Sequence, residues 1–223
     1  MKRSVLAMIS VIPLAASHAQ GNANPYPTMA AVDQYRMDRT AEIALAKTAA
    51  PSGISDSADV LVMGVAGYET AVRGTNGFVC VVERGWATDF GNPDFWNPKV
   101  RSPFCYNAVG ARSVLSDYLT RTRQALAGMT ETKMQAARPP VKLEAGSMAY
   151  MLAKDGYLGD DVKGPWHPHV MVFLPHMSAA ALGANVENSP AVVNDAPTSR
   201  VTVFVIPVLR WSDGSADSAA AHP

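Results

Sequence analysis

The stretch that most constrains how this chain folds is Tyr68–Arg84, which reads YETAVRGTNGFVCVVER. An Asn-Gly step between two runs rich in β-forming residues is a strong short-range signal for a β-hairpin. A type I′ turn needs positive φ at both central residues, and Asn76 and Gly77 tolerate that conformation. The sequence therefore predicts two antiparallel strands joined at Asn76-Gly77, or by a longer loop that also uses Gly74.

The register of this predicted hairpin follows from the position of its turn. Val72 then lies opposite Val81, and Glu69 lies opposite Arg84 at the open end. An opposite-charge pair across two strands contributes about 0.2–1 kcal/mol. A slip by one residue would send every side chain to the other face of the sheet, so the register also decides which residues are buried.

The N-terminus has the three parts of a secretory signal peptide. Lys2 and Arg3 supply positive charge, Val5–Ala16 is an apolar run, and small residues lead to a cleavage site between Ala19 and Gln20. The apolar run is shorter than the roughly 20 residues that a membrane-spanning helix needs, and no later run reaches that length. We therefore predict a periplasmic or secreted protein with no transmembrane segment. An N-terminal anchor that stays uncleaved is the alternative.

The overall charge limits the classes of partner. The chain carries 19 basic and 19 acidic residues and has no basic run. This balance argues against nucleic acid or an anionic membrane surface as a partner. The roughly 200 residues beyond the signal peptide are enough for one domain with a hydrophobic core, and two small domains also fit that length.

Two cysteines in an exported chain most often form a disulfide. A bond between Cys80 and Cys105 would close a loop of about 25 residues and contribute about 3 kcal/mol in the chain-entropy model. The alternative is a catalytic thiolate, which needs a histidine or a helix N-terminus beside it. Neither is near in sequence, so the disulfide is the prediction.

Blocks of helical pattern and blocks of β-like pattern follow one another, which is typical of an α+β fold with a mainly antiparallel sheet and helices packed on it. Helices are predicted over Met29–Ala50 and Ala111–Ala127. Strands are predicted over Val60–Val65, Ser147–Ala153, His169–Leu174 and Val201–Ile206. The predicted division is a signal peptide over 1–19, an extended and helical segment over 20–58, a single α+β domain over 59–211 and a disordered tail over 212–223.

The segment between the two cysteines is unusually aromatic and rich in turn-forming Asn-Pro and Ser-Pro steps. A long loop of this composition either packs on itself or lines a binding site. The predicted ligand-binding residues are Trp86, Phe90, Phe95 and Trp96, whose rings suit stacking on a sugar or holding a peptide. The alternative is that the same rings form a small core of their own.

Two histidines, His167 and His169, flank Pro168 where a predicted strand begins. Pro168 favours extended backbone, and residues two apart in an extended chain share a face. Both imidazoles therefore reach toward one point, where a divalent metal such as zinc or copper is possible. A third ligand would have to come from Asp155, Asp160 or Asp161. The alternative is that each histidine only forms local hydrogen bonds, in which case the protein needs no cofactor.

Several short motifs carry a resemblance to an uncharacterised family of exported bacterial proteins. The motifs, in order, are Asn76-Gly77-Phe78 with Cys80, Tyr150-Met151-Leu152, Pro168-His169-Val170-Met171, Gly183-Ala184-Asn185 with Ser189-Pro190, and Trp211-Ser212-Asp213-Gly214. They cover most of the chain beyond the signal peptide. The resemblance implies an envelope or secreted location and supplies no activity or catalytic residue.

The sequence contains none of the common nucleophile or nucleotide motifs, such as G-x-S-x-G or a phosphate-binding glycine loop. The first functional prediction is an exported domain that binds a small ligand or an envelope partner through the aromatic segment 86–104. The second is a metal-assisted hydrolase or oxidoreductase that uses the two histidines. The third is a structural envelope protein without a pocket.

Overall fold

A computed structural model of the chain describes residues 24–160, 167–196, 199 and 201–217. It confirms the α+β fold, because one eight-stranded, mainly antiparallel sheet carries helices on its faces. The predicted signal peptide and its cleavage site between Ala19 and Gln20 lie outside the described residues. None of the helices in the described ranges combines the length and the apolar character that crossing a membrane requires.

The sheet has the strand order β2-β1-β3-β4-β5-β6-β8-β7. All neighbouring strands pair antiparallel except β1 and β3, which are parallel. The strands are β1 (Asp59–Met63), β2 (Tyr68–Val72), β3 (Val79–Glu83), β4 (Ser102–Tyr106), β5 (Met148–Met151), β6 (His169–Pro175), β7 (Val192–Asn194) and β8 (Val201–Pro207). The helices are α1 (Arg39–Lys47), α2 (Ser52–Ser55), α3 (Ala108–Gly110), α4 (Ser116–Leu126) and α5 (Glu131–Ala137). A π-helical segment, Ala111–Leu115, joins α3 to α4.

The predicted hairpin over Tyr68–Arg84 is wrong, although both of its strands exist. β1 lies between β2 and β3, so Val72 pairs with Val60 and not with Val81. Glu69 forms its ion pair with Arg39 of α1, whereas Arg84 is buried elsewhere. The Asn-Gly step does not form a type I′ turn either, since positive φ occurs at Gly77 (+78°) but not at Asn76.

The segment between β2 and β3 crosses the end of β1 and is held there by hydrogen bonds. The amides of Thr75 and Asn76 donate to the carbonyl oxygen of Ser57, at 2.8 and 3.2 Å. The amide of Gly74 donates to the Asp59 carboxylate at 2.6 Å, and the Asp59 amide donates to the Phe78 carbonyl at 2.8 Å. This crossover satisfies backbone groups that a hairpin would have paired between its own strands.

One face of the sheet packs against α1 and contains the disulfide. Cys80 and Cys105 are register partners on β3 and β4, they are fully buried, and their sulfur atoms are bonded. Ala46 and Ala49 pack against them, because small side chains let the helix lie close to the sheet. The predicted disulfide is confirmed.

The other face of the sheet packs against α4 and the aromatic segment. Alternation along the strands sends Val81 and Glu83 of β3, Tyr106 of β4 and Met171 of β6 to this side. We call it the inner face, and it faces the larger of the two apolar clusters. The strand β4 begins within the part of the chain that the sequence predicted to be irregular.

The end of the described chain is a turn with tertiary contacts. The Trp211 amide donates to the Ser215 carbonyl at 3.0 Å, and Lys154 forms an ion pair with Asp213 at 2.6 Å. Trp211 and Asp217 are buried. The predicted disordered tail therefore does not hold for residues 212–217, because this turn packs on the domain. Its remaining residues, 218–223, lie outside the described part.

Candidate ligand-binding groove

The four aromatic residues predicted to bind a ligand have their side chains in the core. Their exposed fractions are 0% for Trp86, 8% for Phe90, 1% for Phe95 and 4% for Trp96. The Trp86 indole nitrogen donates to the Thr122 hydroxyl at 2.9 Å. Burial of all four rings favours the alternative interpretation, an aromatic core, and leaves these rings little surface on which a ligand could stack.

The two predicted metal ligands do not assemble a metal site with other described residues. His167 is exposed, and its Nδ1 lies 2.6 Å from Oδ2 of Asp217. His169 is buried, and its Nδ1 lies 2.7 Å from the His167 carbonyl oxygen. Within the described ranges, no three side chains of His, Cys, Asp or Glu converge in a metal-binding arrangement.

Of the three carboxylates considered as a third ligand, Asp155 is exposed and Asp160 has other partners. Asp160 accepts hydrogen bonds from the hydroxyl groups of Tyr26 and Tyr157 and pairs with Lys99. Asp161 lies outside the described residues. The contact of His169 with the His167 carbonyl is local, whereas His167 contacts Asp217 near the end of the described chain.

A groove on the inner face of the sheet is the site that the structure offers instead. It consists of two adjoining cavities of about 160 and 390 Å³. Both are lined by Glu83, Phe104, Met171 and Val203, which come from four different strands. A third cavity of about 110 Å³ adjoins the larger one and contains the two histidines. We call these connected spaces the inner-face groove.

The aromatic segment forms one side of this groove, although its large rings point elsewhere. Ala87 and Thr88 line both main cavities, and Asn92 and Asp94 line the larger one. The 3-10 turn Gly85–Ala87 brings this wall back toward the sheet directly after β3. The buried rings therefore support the wall of the groove from behind.

Glu83 is the most unusual side chain in the groove. Its carboxyl group is buried, and no charged described residue forms an ion pair with it. Its exposed fraction is 3%, and the Tyr106 hydroxyl donates to its Oε1 at 2.9 Å. No other described group forms a hydrogen bond or ion pair with this carboxyl. Burial raises the pKa of Glu83 to about 8, while the hydrogen bond from Tyr106 and the charge of Arg121 lower it. Glu83 is therefore mainly protonated at neutral pH.

Charged residues from α4 and its surroundings line the smaller cavity and are paired with one another. Asp117 forms an ion pair with Arg138 at 2.7 Å, and its Oδ2 lies 3.6 Å from the Arg121 Nε. Nη1 of Arg121 donates to the backbone carbonyls of Trp86 and Thr88, both at 2.9 Å. The Arg121 Nε is buried and forms no hydrogen bond with any described group. Arg121 therefore fixes the aromatic segment to α4 and supplies positive charge at the inner end of the groove.

His169 lies toward the opposite end of the groove, on β6. Burial lowers the pKa of His169, and the charge of His167 also lowers it. The hydrogen bond with the His167 backbone raises the pKa. Around it the third cavity is apolar, with Val192, Val205 and Pro207 as lining residues. The groove thus has charged groups at one end, His169 toward the other, and a mainly apolar floor on the sheet between them.

Replacing Glu83 with glutamine is expected to stabilise the protein above about pH 5, because glutamine keeps the shape and accepts the Tyr106 hydrogen bond but never ionises. The folded-state pKa lies above the unfolded value of 4.5, so the native state binds more protons between these two values. Wild-type stability therefore falls as pH rises from about 5 to 8. The advantage of the variant should grow by about 1.4 kcal/mol per pH unit in this window.

The measurement is chemical denaturation of both proteins at pH 4, 6 and 8. Glu144→Gln is the control, since the Glu144 side chain is 42% exposed and forms a surface ion pair with Arg112. A stability difference between Glu83→Gln and wild type that stays constant with pH would show that the Glu83 carboxyl is ionised in the fold.

Comparisons of the chain with models of protein families, with curated proteins and with solved structures each find no match. The resemblance to an exported bacterial family stays a prediction.

Proposed function

We propose that the protein binds a small ligand in the inner-face groove. The observation that carries this proposal is the combination of a mainly apolar groove with the buried carboxyl group of Glu83, which accepts a hydrogen bond from Tyr106. Concave, mainly apolar sites with a few convergent polar groups are where small ligands bind in proteins. Titratable groups with strongly shifted pKa values also concentrate at functional sites.

The proposal keeps the aromatic segment as part of the binding site but changes its role. In the sequence-based prediction the rings of Trp86 and Trp96 contact the ligand. In the present proposal the small residues Ala87 and Thr88 form the contact surface, and the buried rings hold them in position. No observation on the described residues favours the metal-assisted enzyme.

We propose the periplasm or the extracellular space as the location. A disulfide between Cys80 and Cys105 agrees with an oxidising compartment. The N-terminal residues that carry the predicted export signal supply the second argument, which rests on their sequence alone.

Filling the groove should abolish ligand binding. Val203 lies on β8 with its side chain in both main cavities, so Val203→Trp places an indole where a ligand would lie. The probe is the uncharged dye 6-propionyl-2-dimethylaminonaphthalene, whose emission changes when it enters an apolar site. We expect saturable binding to the wild type and at least a tenfold loss in the variant.

Two further variants make the result specific. Ile206 lies on the same strand, but its side chain points away from the inner face and is 41% exposed. The variant Ile206→Trp should therefore bind the dye like the wild type. Val192 lies on β7 at the mouth of the groove and is exposed. The variant Val192→Trp should weaken dye binding, and it provides a second test if Val203→Trp folds poorly. Equal dye binding by all three variants would mean that the groove is not the site, and a wild type that binds no dye would favour a structural role.

A further inference from the structure

The inner-face groove also indicates the chemical class of its ligand. We propose that it takes an uncharged, mainly apolar molecule whose carbonyl oxygen accepts a hydrogen bond from the carboxylic acid of Glu83. This inference rests on the proposed function, because it concerns the occupant of the same groove.

The charges around the inner end of the groove argue against an ionic ligand. Two cations, Arg121 and Arg138, line the smaller cavity together with two carboxylates, Asp117 and Asp89. Asp117 is paired with Arg138, and Asp89 accepts a hydrogen bond from the Asn194 amide at 3.0 Å. With Glu83 protonated, these charges cancel, so a charged ligand would lose its hydration without gaining a partner of opposite charge.

A protonated Glu83 supplies the hydrogen-bond donor that such a ligand needs. A carboxylic acid has one O–H donor. The Tyr106 hydroxyl donates to Oε1 of Glu83, so Tyr106 does not accept the proton of the acid. Two other donors at this end are engaged: the Ser199 hydroxyl donates to the Val201 carbonyl, and Asn194 donates to Asp89. The Arg121 Nε forms no hydrogen bond with a described group, but it lies 3.6 Å from Oδ2 of Asp117 in an ion pair. A ligand that brings an acceptor oxygen to Glu83 therefore satisfies a buried polar group.

The rest of the groove fits an apolar body. Phe104, Met171 and Val203 form its floor on the sheet, and Met151, Leu158 and Val205 extend the larger cavity. The larger cavity, of about 390 Å³, is in the range in which proteins bind small molecules. Apolar contact here supplies affinity, and the single hydrogen bond at Glu83 orients the ligand.

The proposal predicts a pH dependence of binding, which follows from the groups that face Glu83. These are Tyr106 from β4, Asp117, Tyr118 and Arg121 from α4, Arg138 after α5, and Asp89 from the aromatic segment. Burial holds the pKa values of Tyr106 and Tyr118 well above 10, so both stay neutral across the range tested. When Glu83 ionises above about pH 8 it loses its donor and repels a carbonyl oxygen. Affinity should therefore be constant up to about pH 7 and fall above pH 8.

The experiment compares the dye 6-propionyl-2-dimethylaminonaphthalene with 2-dimethylaminonaphthalene, which has the same ring system but no carbonyl. At pH 6 we expect the wild type to bind the ketone about tenfold more tightly, a typical effect of one buried hydrogen bond. Glu83→Leu should remove this preference. Glu83→Gln keeps an N–H donor, so it should retain the preference and show no loss of affinity at pH 9.

Two controls separate this inference from the proposed function. Glu144→Gln changes an exposed carboxylate that does not line the groove and should leave the preference for the ketone unchanged. If Val203→Trp blocks both dyes but Glu83→Leu changes neither, the groove binds ligands and the assignment of the donor is wrong. If the anionic dye 1-anilinonaphthalene-8-sulfonate competes more tightly than the ketone, the groove prefers a charged ligand and the inference is overturned.

Discussion

Replacing Arg84 with methionine is expected to lower the free energy of unfolding by about 3–5 kcal/mol, because it leaves the Glu42 carboxylate buried without its partner. Nη2 of Arg84 lies 2.7 Å from Oε1 of Glu42, and the two side chains are 0% and 1% exposed. A charge in such a position interacts with no water, so its stability depends on the opposite charge beside it. Denaturation in guanidinium chloride at pH 7 measures the loss.

The same guanidinium also ties three parts of the chain together. Its Nε donates to the Tyr35 carbonyl at 2.6 Å, and Nη1 donates to the Val82 carbonyl. The backbone amide of Arg84 donates to the Tyr118 hydroxyl of α4 at 2.9 Å. Methionine fills a similar volume and keeps the backbone amide that donates to Tyr118, but it leaves the Tyr35 and Val82 carbonyls without the guanidinium donors. The expected loss therefore exceeds that of an ordinary core substitution.

Two variants distinguish this explanation from a general loss of positive charge. Arg39→Met breaks the ion pair with Glu69, whose side chains are 52% and 61% exposed, and should cost less than about 1 kcal/mol. The double variant Arg84→Met/Glu42→Met removes both buried charges. Its free energy of unfolding should be higher than that of Arg84→Met by at least ~1 kcal/mol. If the double variant is less stable than Arg84→Met alone, the unpaired Glu42 carboxylate is not the source of the loss.

Local sequence patterns were sufficient for the general fold. Apolar residues on both alternating faces correctly placed β1, β6 and β8 inside the sheet, because a strand covered on both faces carries apolar side chains toward both. The helical spacing over Ala111–Ala127 corresponds to α4 and the π-helical segment before it. The disulfide was predictable because cysteines in a chain predicted to be exported most often pair.

The candidate site was harder to predict, because it depends on which strand pairs with which. Glu83 follows an apolar run, and a charged residue after such a run normally marks the exposed end of a strand. Its burial follows only once Val81 is known to face the inner side, since Glu83 is two residues further along and shares that face. The aromatic residues were located correctly in the chain, but composition alone does not tell whether a ring points into a core or into a groove.

The predicted hairpin failed for a reason that local sequence does not contain. Asn76-Gly77 has the residues of a tight turn, and β2 and β3 have the residues of paired strands. What separates them is β1, an apolar strand whose two edges pair with β2 and with β3. Asn76 then serves another purpose: its side-chain amide donates to the Ile54 carbonyl at 2.7 Å, and its Oδ1 accepts from the Phe78 amide at 3.0 Å.

Gly74→Ala is expected to lower the free energy of unfolding by ~3 kcal/mol or more, because a side chain there collides with backbone that has no room to move. A Cβ on Gly74 would lie 2.2 Å from the Ser57 carbonyl oxygen and 2.6 Å from the Asp59 nitrogen. In a hairpin with a long loop the same residue would be exposed, and alanine would be tolerated. The variant therefore tests the crossover of the segment between β2 and β3 directly.

Gly53→Ala is the matched control for this test, since it lies in the neighbouring helix α2 and a Cβ there has nothing within 4 Å. Alanine should change stability there by less than about 0.5 kcal/mol. Hydrogen exchange of the Thr75 and Asn76 amides provides a second measurement, since both donate to the Ser57 carbonyl in the crossover. Protection of these amides in the wild type, together with its loss in Gly74→Ala, follows from the strand order β2-β1-β3. A hairpin turn would leave at least one of them open to solvent, so fast exchange at both positions in the wild type would restore the simpler topology.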